Sequence, residues 1–196
     1  MLPEATSVGV ERFSDEARSV LESKGFVVYT LTAESINSFR KQGRKFWSSW
    51  HNDYPEFEAL ISRVAEVAIN PDPDRIFLKG SFAKDLSGQI NMIAKLSQEL
   101  QIGSNRIPGV EAIMGEAADY TELFFKHLDS TGDYLLGEKY VQGDIWLFAR
   151  TNTPTVNSGV ASVGDFDKEA GLRILHTKMK RDGRDDLVVV PILVPT

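Results

Sequence analysis

The chain contains no cysteine. That excludes disulfides, thiolate metal sites and cysteine nucleophiles together, and it matches the usage expected in a reducing compartment. Long apolar runs are missing as well. No stretch approaches the roughly 18 residues that a membrane-spanning helix needs. The first residues, Met1-Leu2-Pro3-Glu4-Ala5-Thr6-Ser7, carry neither a basic start nor an apolar core, so they do not read as a signal peptide. The expectation is a soluble, cytoplasmic protein with no membrane partner. Positive charge is in deficit too, with 22 Lys and Arg against 28 Asp and Glu and a net charge of −6. A chain of that sign has no general attraction to nucleic acid.

Signature motifs are also lacking. Only three histidines occur, His51, His127 and His176. They are scattered and lack the His-Glu-x-x-His spacing, so no zinc site is expected. Asp182 to Asp186 is acidic but broken by Arg184, and it does not follow the ligand spacing of a calcium loop. Neither Gly-x-x-x-x-Gly-Lys-Ser/Thr nor Gly-x-Gly-x-x-Gly appears. No metal is therefore expected, and no motif assigns a cofactor.

What is present is ordinary for a folded protein. At 196 residues, with 42% hydrophobic and 26% charged content, the chain suits one globular domain over 1–196, residues 1–10 being loosely held. Ser14 reads as the cap of a short helix carrying Asp15 and Glu16 in its first turn, and Gly25 as its C′ residue. Phe26 to Leu31 reads as a strand. Thr32 begins a helix that Gly43 ends. Asp53 and Glu56 around Pro55 form a capping-box pattern, and Phe57, Leu60, Ile61, Val64 and Val67 predict a helix reaching Ile69. Asn70-Pro71-Asp72-Pro73-Asp74 stops it.

Arg75 to Leu100 reads as a strand at Ile76 to Leu78, a small-residue turn, and a helix with Leu86, Ile90, Ile93 and Leu100 on one face. Val110 to Met114 reads as a strand. Asp119 and Glu122 read as a second capping box, opening a helix closed by Thr131-Gly132. Ile145 to Ala149 and Val160 to Val163 read as strands, with a polar loop from Thr151 to Gly159 between them. The Asp182-Gly183 pair suggests a hairpin joining Leu172–Met179 to Leu187–Val194. Pro191, which has no N–H to donate, places that last strand at an edge or a bulge.

The fold expected is mixed α/β of the α+β kind: a central sheet packed by helices, with a β-rich antiparallel last third. The alternative is a three-layer α/β/α sandwich with a mostly parallel sheet, in which Asp165 to Met179 would be a crossover helix.

Two loops attract attention as ligand sites. In Lys79-Gly80-Ser81 a glycine after a strand lets backbone approach an anion, and Ser81 offers a hydroxyl. The same serine also suits a turn closed on its own backbone. Arg150-Thr151-Asn152-Thr153-Pro154-Thr155 offers a guanidinium and hydroxyls at a strand end, with Asp165 as an acidic neighbour. The ligand-binding set is thus Lys79, Gly80, Ser81, Arg150, Thr151, Thr153 and Asp165, and a small phosphate- or nucleotide-like anion is the expected ligand. A serine triad through Ser81 lacks the Gly-x-Ser-x-Gly elbow, so no catalytic residue and no enzymatic activity is assigned.

The competing class is a non-enzymatic interaction module built on the aromatic Trp47–Trp50 surface. Phe46, Trp50 and Tyr54 also fit one buried helical face. Self-association stays open under either reading. The stretch Pro108-Gly109-Val110-Glu111-Ala112-Ile113-Met114-Gly115-Glu116-Ala117-Ala118 resembles the glycine-rich turn of nucleotide-processing Rossmann-like proteins. It departs from them in lacking paired glycines and a later phosphate motif, so no residue role is carried across.

Overall fold

A computed structural model describes residues 9–47, 50–102, 106–155, 159–177 and 184–196. The architecture is α+β, built on two four-stranded sheets in place of one central sheet. The first has strand order β1-β2-β8-β3, from β1 (Val27–Thr30), β2 (Glu66–Ile69), β8 (Ile192–Pro195) and β3 (Val110–Ile113), all antiparallel. The second has order β6-β5-β4-β7, from β6 (Gly171–Thr177), β5 (Val160–Asp167), β4 (Phe148–Pro154) and β7 (Leu187–Val188). There β4, β5 and β6 form an antiparallel meander, and the short β7 joins β4 in parallel. The three-layer parallel alternative is therefore not the fold. The stretch expected there as a crossover helix instead forms the β5–β6 hairpin.

Five α-helices accompany the sheets among the described residues: α1 (Asp15–Ser23), α2 (Ile36–Lys41), α3 (Pro55–Glu58), α4 (Leu86–Gln101) and α5 (Ala117–Thr131). Ser14 caps α1 by accepting from Ala17 N–H at 3.1 Å. Asp85 caps α4 in the same way through Gly88 N–H at 2.8 Å. The centre of the molecule is α5, whose Tyr120, Leu123, Phe124 and Phe125 are buried in a core that takes side chains from both sheets. Each such side chain contributes about 1.5–3 kcal/mol by leaving water.

Several local expectations are overturned. The helix expected to reach Ile69 is only one turn, Pro55–Glu58, capped at Tyr54 without a side-chain bond, and β2 follows it. Ala65 to Asn70 is buried continuously, as suits an interior strand covered on both faces. The helix expected at Thr32 begins after Ser35, because Thr32 N–H and Oγ1 are both drawn to the Glu122 carboxylate at 2.9 Å. Ile76 and Phe77 form a bend and Leu78 is irregular, so no strand forms there. Helix α5 starts one turn before Asp119, with Glu116 and Asp119 as its capping box. Phe46, Trp50 and Tyr54 do not share a helix, since Phe46 bridges to Leu172 and Trp50 opens a short 3-10 turn.

The region after β6 differs most from expectation. Asp182-Gly183 lies outside the described residues. Leu172 to Thr177 pairs with β5, and Leu187 to Val194 is not one strand: β7 belongs to the second sheet and β8 to the first. Pro191 sits between them, where the chain leaves one ladder and joins the other, so its missing N–H costs no ladder bond. It marks a change of sheet, and β8 is an interior strand, not an edge. The expected polar loop from Thr151 is also shorter, because β4 continues to Pro154.

Gly171 fixes where the aromatic segment docks. Its φ of +92° is a left-handed value, and a Cβ there would lie 2.3 Å from Lys45 O. Only glycine lets the Arg44–Trp47 backbone lie this close, where Leu172 N–H donates to Lys45 O at 3.1 Å and Trp47 N–H donates to Leu172 O at 3.1 Å.

Candidate functional site

The structure brings the two expected loops to the two sides of β7, with Ser81, Arg150, Thr151 and Thr153 buried. Ser81 is fully buried; its Oγ accepts from Val189 N–H at 3.1 Å and its carbonyl accepts from Gln89 Nε2 at 2.8 Å. Leu78 N–H also donates to Val189 O, so the turn closes the side of the chain that follows β7. Lys79 and Gly80 are exposed at its tip. On the other side of β7, Val188 pairs with Ala149, next to the fully buried Arg150. Thr151 Oγ1 donates to Ala161 O at 2.9 Å and accepts from Thr153 N–H at 3.1 Å.

Asp165 is 2.8 Å from Arg173 Nη1, and that guanidinium stacks 3.2 Å above the Trp47 ring centre. Burial pushes the Asp165 carboxyl up, and Arg173 opposes the shift. The histidines face other partners. His51 bonds Glu58 at 2.7 Å, His127 bonds Tyr29 at 2.6 Å, and His176 bonds Thr155 at 2.6 Å.

Of the seven expected residues, Thr153 alone lines an apolar cleft between the aromatic segment and the end of β4. This cleft holds about 550 Å³. One wall is the aromatic segment: Trp50, Tyr54 and Phe57, continued by Leu60 and Ile61. The other is the end of β4, Thr153 to Thr155, with Glu116 and Ala118 from the start of α5. The wall is held in place from behind. Trp50 Nε1 donates to Ile174 O at 3.2 Å, and its ring lies 4.7 Å from Phe57 and 5.5 Å from His176. Buried His51 anchors the same turn through Glu58, which Arg40 also pairs at 2.7 Å. Burial lowers the affinity of His51 for a proton, and Glu58 only partly restores it.

The polar end of the cleft is a relay. Ala117 N–H, the first amide of α5, donates to Thr153 Oγ1 at 2.7 Å. With that lone pair occupied, Thr153 directs its own proton to Glu116 Oε2 at 2.5 Å. Glu116 is half-buried, and it also borders a neighbouring groove of about 640 Å³ lined by Arg63, Ile93, Met114 and Asn152.

Two further carboxylates follow along α5 at three-residue intervals, and both are consumed internally. Asp119 is held by Arg63 through its backbone N–H, Nε and Nη2 at 2.9–3.1 Å. Glu122 is fully buried and accepts from Thr32, from Glu34 N–H and from the Ser62 hydroxyl, with Lys126 at 3.3 Å. No ion pair to Glu116 forms among the described residues.

Sequence reasoning missed Glu116, Phe57, Leu60 and Ile61 as cleft residues. The available signal was the run of acids at 116, 119 and 122 in an otherwise apolar helix, together with paired aliphatics at 60–61 after a one-turn helix. Among the described residues, no helix is long and apolar enough to cross a membrane, and no group of three or more His, Asp or Glu side chains is placed to hold a metal ion. Comparisons with protein-family models, with curated proteins and with solved structures found no match to this chain.

Proposed function

We propose that the protein binds a small molecule with an apolar body in the cleft between Trp50 and the end of β4. The observation that carries this reading is the composition of the cleft. Its volume, about 550 Å³, falls in the range of roughly 300–1,000 Å³ typical of ligand pockets. Five large apolar side chains form one wall, and the polar groups Glu116, Thr153 and Thr155 stand opposite. Rings fixed from behind by Ile174 and His51 lose little freedom when a ligand packs on them, which favours affinity.

The anionic ligand expected at the Gly80 and Arg150 loops has less support. Ser81 and Arg150 are buried, and among the described residues the cleft lining holds Glu56 and Glu116 but no Lys or Arg. The experiment is a thermal-shift and tryptophan-fluorescence screen with apolar small molecules. Saturable binding is expected, with about 2.7 kcal/mol of added stability at 100 times Kd, lost in Trp50→Ala. Absence of saturable binding across the panel overturns the proposal.

A second reading, docking of a protein partner, draws on the lip of the same cleft, where Leu60 and Ile61 are 41% and 61% exposed. It predicts concentration-dependent association that Ile61→Asp abolishes, measured by light scattering.

A further inference from the structure

We infer that the ligand of this cleft carries a positive charge, an ammonium group seated against Glu116 with its apolar body along Trp50, Tyr54 and Phe57. This rests on the cleft being a ligand site at all, and it deepens that reading by naming a substrate class.

The charge balance at this end of the cleft carries the inference. Near the start of α5 stand Glu116 and Asp119, with Glu56 on the opposite wall. Among the described residues the guanidinium beside them, Arg63, is committed to Asp119 by two side-chain hydrogen bonds. The helix terminus adds about half a positive charge. Together these offset Asp119 and part of Glu116, and they leave the cleft end negative. Among the described residues, no Lys, Arg or His lines the cleft to complete the balance.

The geometry of Glu116 points the same way. Thr153 donates its proton to Oε2, and Ala117 N–H donates to the same hydroxyl oxygen, which favours that orientation. The carboxylate is thus positioned in advance as an acceptor, and an ammonium would supply the cation it lacks. The aromatic wall suits the same group. Ring faces attract a cation placed within about 6 Å of the centroid, most strongly for Trp. A carboxylate ligand would instead meet Glu116 and Glu56 with no cation to receive it. A neutral ligand would use the rings and leave the carboxylate uncompensated.

The test compares 4-phenylbutylamine, charged at neutral pH, with 4-phenylbutanol, which has the same body without the charge. Affinities are measured by calorimetry on the full chain and on Glu116→Gln. That variant keeps an acceptor for Thr153 and removes the charge. The expected result is that the amine binds native protein about tenfold or more tightly than the alcohol. In Glu116→Gln the advantage of the amine should fall to about threefold or less, the remainder coming from the rings and Glu56, and an unchanged Tm of the free variant reports that the fold is intact. Equal affinities in the native protein, or tighter binding of the alcohol, overturn the charge assignment and leave the cleft reading standing. An amine preference undiminished in Glu116→Gln overturns the role of Glu116. If neither compound binds saturably, both the assignment and the cleft reading fall.

Discussion

Glu116 and Glu122 lie on the same stretch of chain, six residues apart, and have opposite roles. Glu122 is fully buried, and hydrogen bonds from Thr32, Glu34 and Ser62, with Lys126 beside them, fill its lone pairs. Glu116 is half-buried, held by Thr153 and by the α5 capping box it forms with Asp119, and it borders the cleft. The two loops picked out in the sequence divide in the same way. Ser81 spends its hydroxyl on Val189 inside the fold, whereas Thr153 passes its proton to a carboxylate at the cleft wall. Residue type does not separate these cases. What separates them is whether the protein itself supplies every partner the polar group needs, because a buried group must be satisfied from within and an accessible one can be satisfied by a ligand.

The largest effect should come from breaking the closed member. Glu122→Ala strands the Thr32 and Glu34 amides, the Ser62 hydroxyl and Lys126, and should cost about 3–5 kcal/mol in urea denaturation. Glu116→Gln should cost under about 1 kcal/mol in the same measurement. A Glu116 variant as damaging as the Glu122 variant would erase the distinction.

Next in size are the two hydroxyls. Thr153→Val removes the partner of the first α5 amide and should cost about 1–2 kcal/mol while changing ligand affinity. Ser81→Ala should cost a similar amount and leave ligand affinity unchanged, as read by calorimetry.

A smaller effect comes from pH. His51 and His127 are both buried, and burial holds each below the usual histidine value of 6.5. Below that value the unfolded chain takes up protons first. Stability should therefore be flat near neutral pH and fall as pH drops towards about 5. Denaturation across that range checks the sign, and His127→Gln should flatten part of the slope.

Smallest of all in stability is the lip. Leu60→Ser should change folding by no more than about 0.5 kcal/mol, because the side chain is already 41% exposed, yet weaken ligand binding in a fluorescence titration.

The sequence made legible what local chemistry decides. Ser14, Gly25 and Gly132 mark helix ends where expected, the strand at Val110 is found, and α4 buries Leu86, Ile93 and Leu100 as the pattern put them, although Ile90 is exposed and Gln89 is buried in its stead. It misled where tertiary burial overrides local pattern. Phe57, Leu60, Ile61, Val64 and Val67 keep a helical rhythm, yet Leu60 and Ile61 face solvent while Val67 is at 0% exposure in an interior strand. The strand–turn–helix unit expected at 75–100 lacks its strand, and one is found instead in β3, Gly115 and α5. Of the cleft, Thr153 was visible as a polar residue in a loop. The Glu116–Thr153 contact spans 37 residues of sequence, and the pairing of β4 with the α5 start that creates it leaves no local trace.

The position of β8 has a consequence for biosynthesis. It fills the gap between β2 and β3, which have no ladder to each other, and it is made after every other strand and helix described. Until Ile192–Pro195 emerges from the ribosome, both of those strands present bare edges, a situation that invites pairing between nascent chains. The first sheet must then assemble after the other strands and helices described have been made, by insertion of a strand and not by growth from one side. Ribosome-stalled chains ending at Val190 should be protease-sensitive across β1 to β3, and release of a further six residues should protect them. A protected stalled chain would show that the sheet closes without its middle strand.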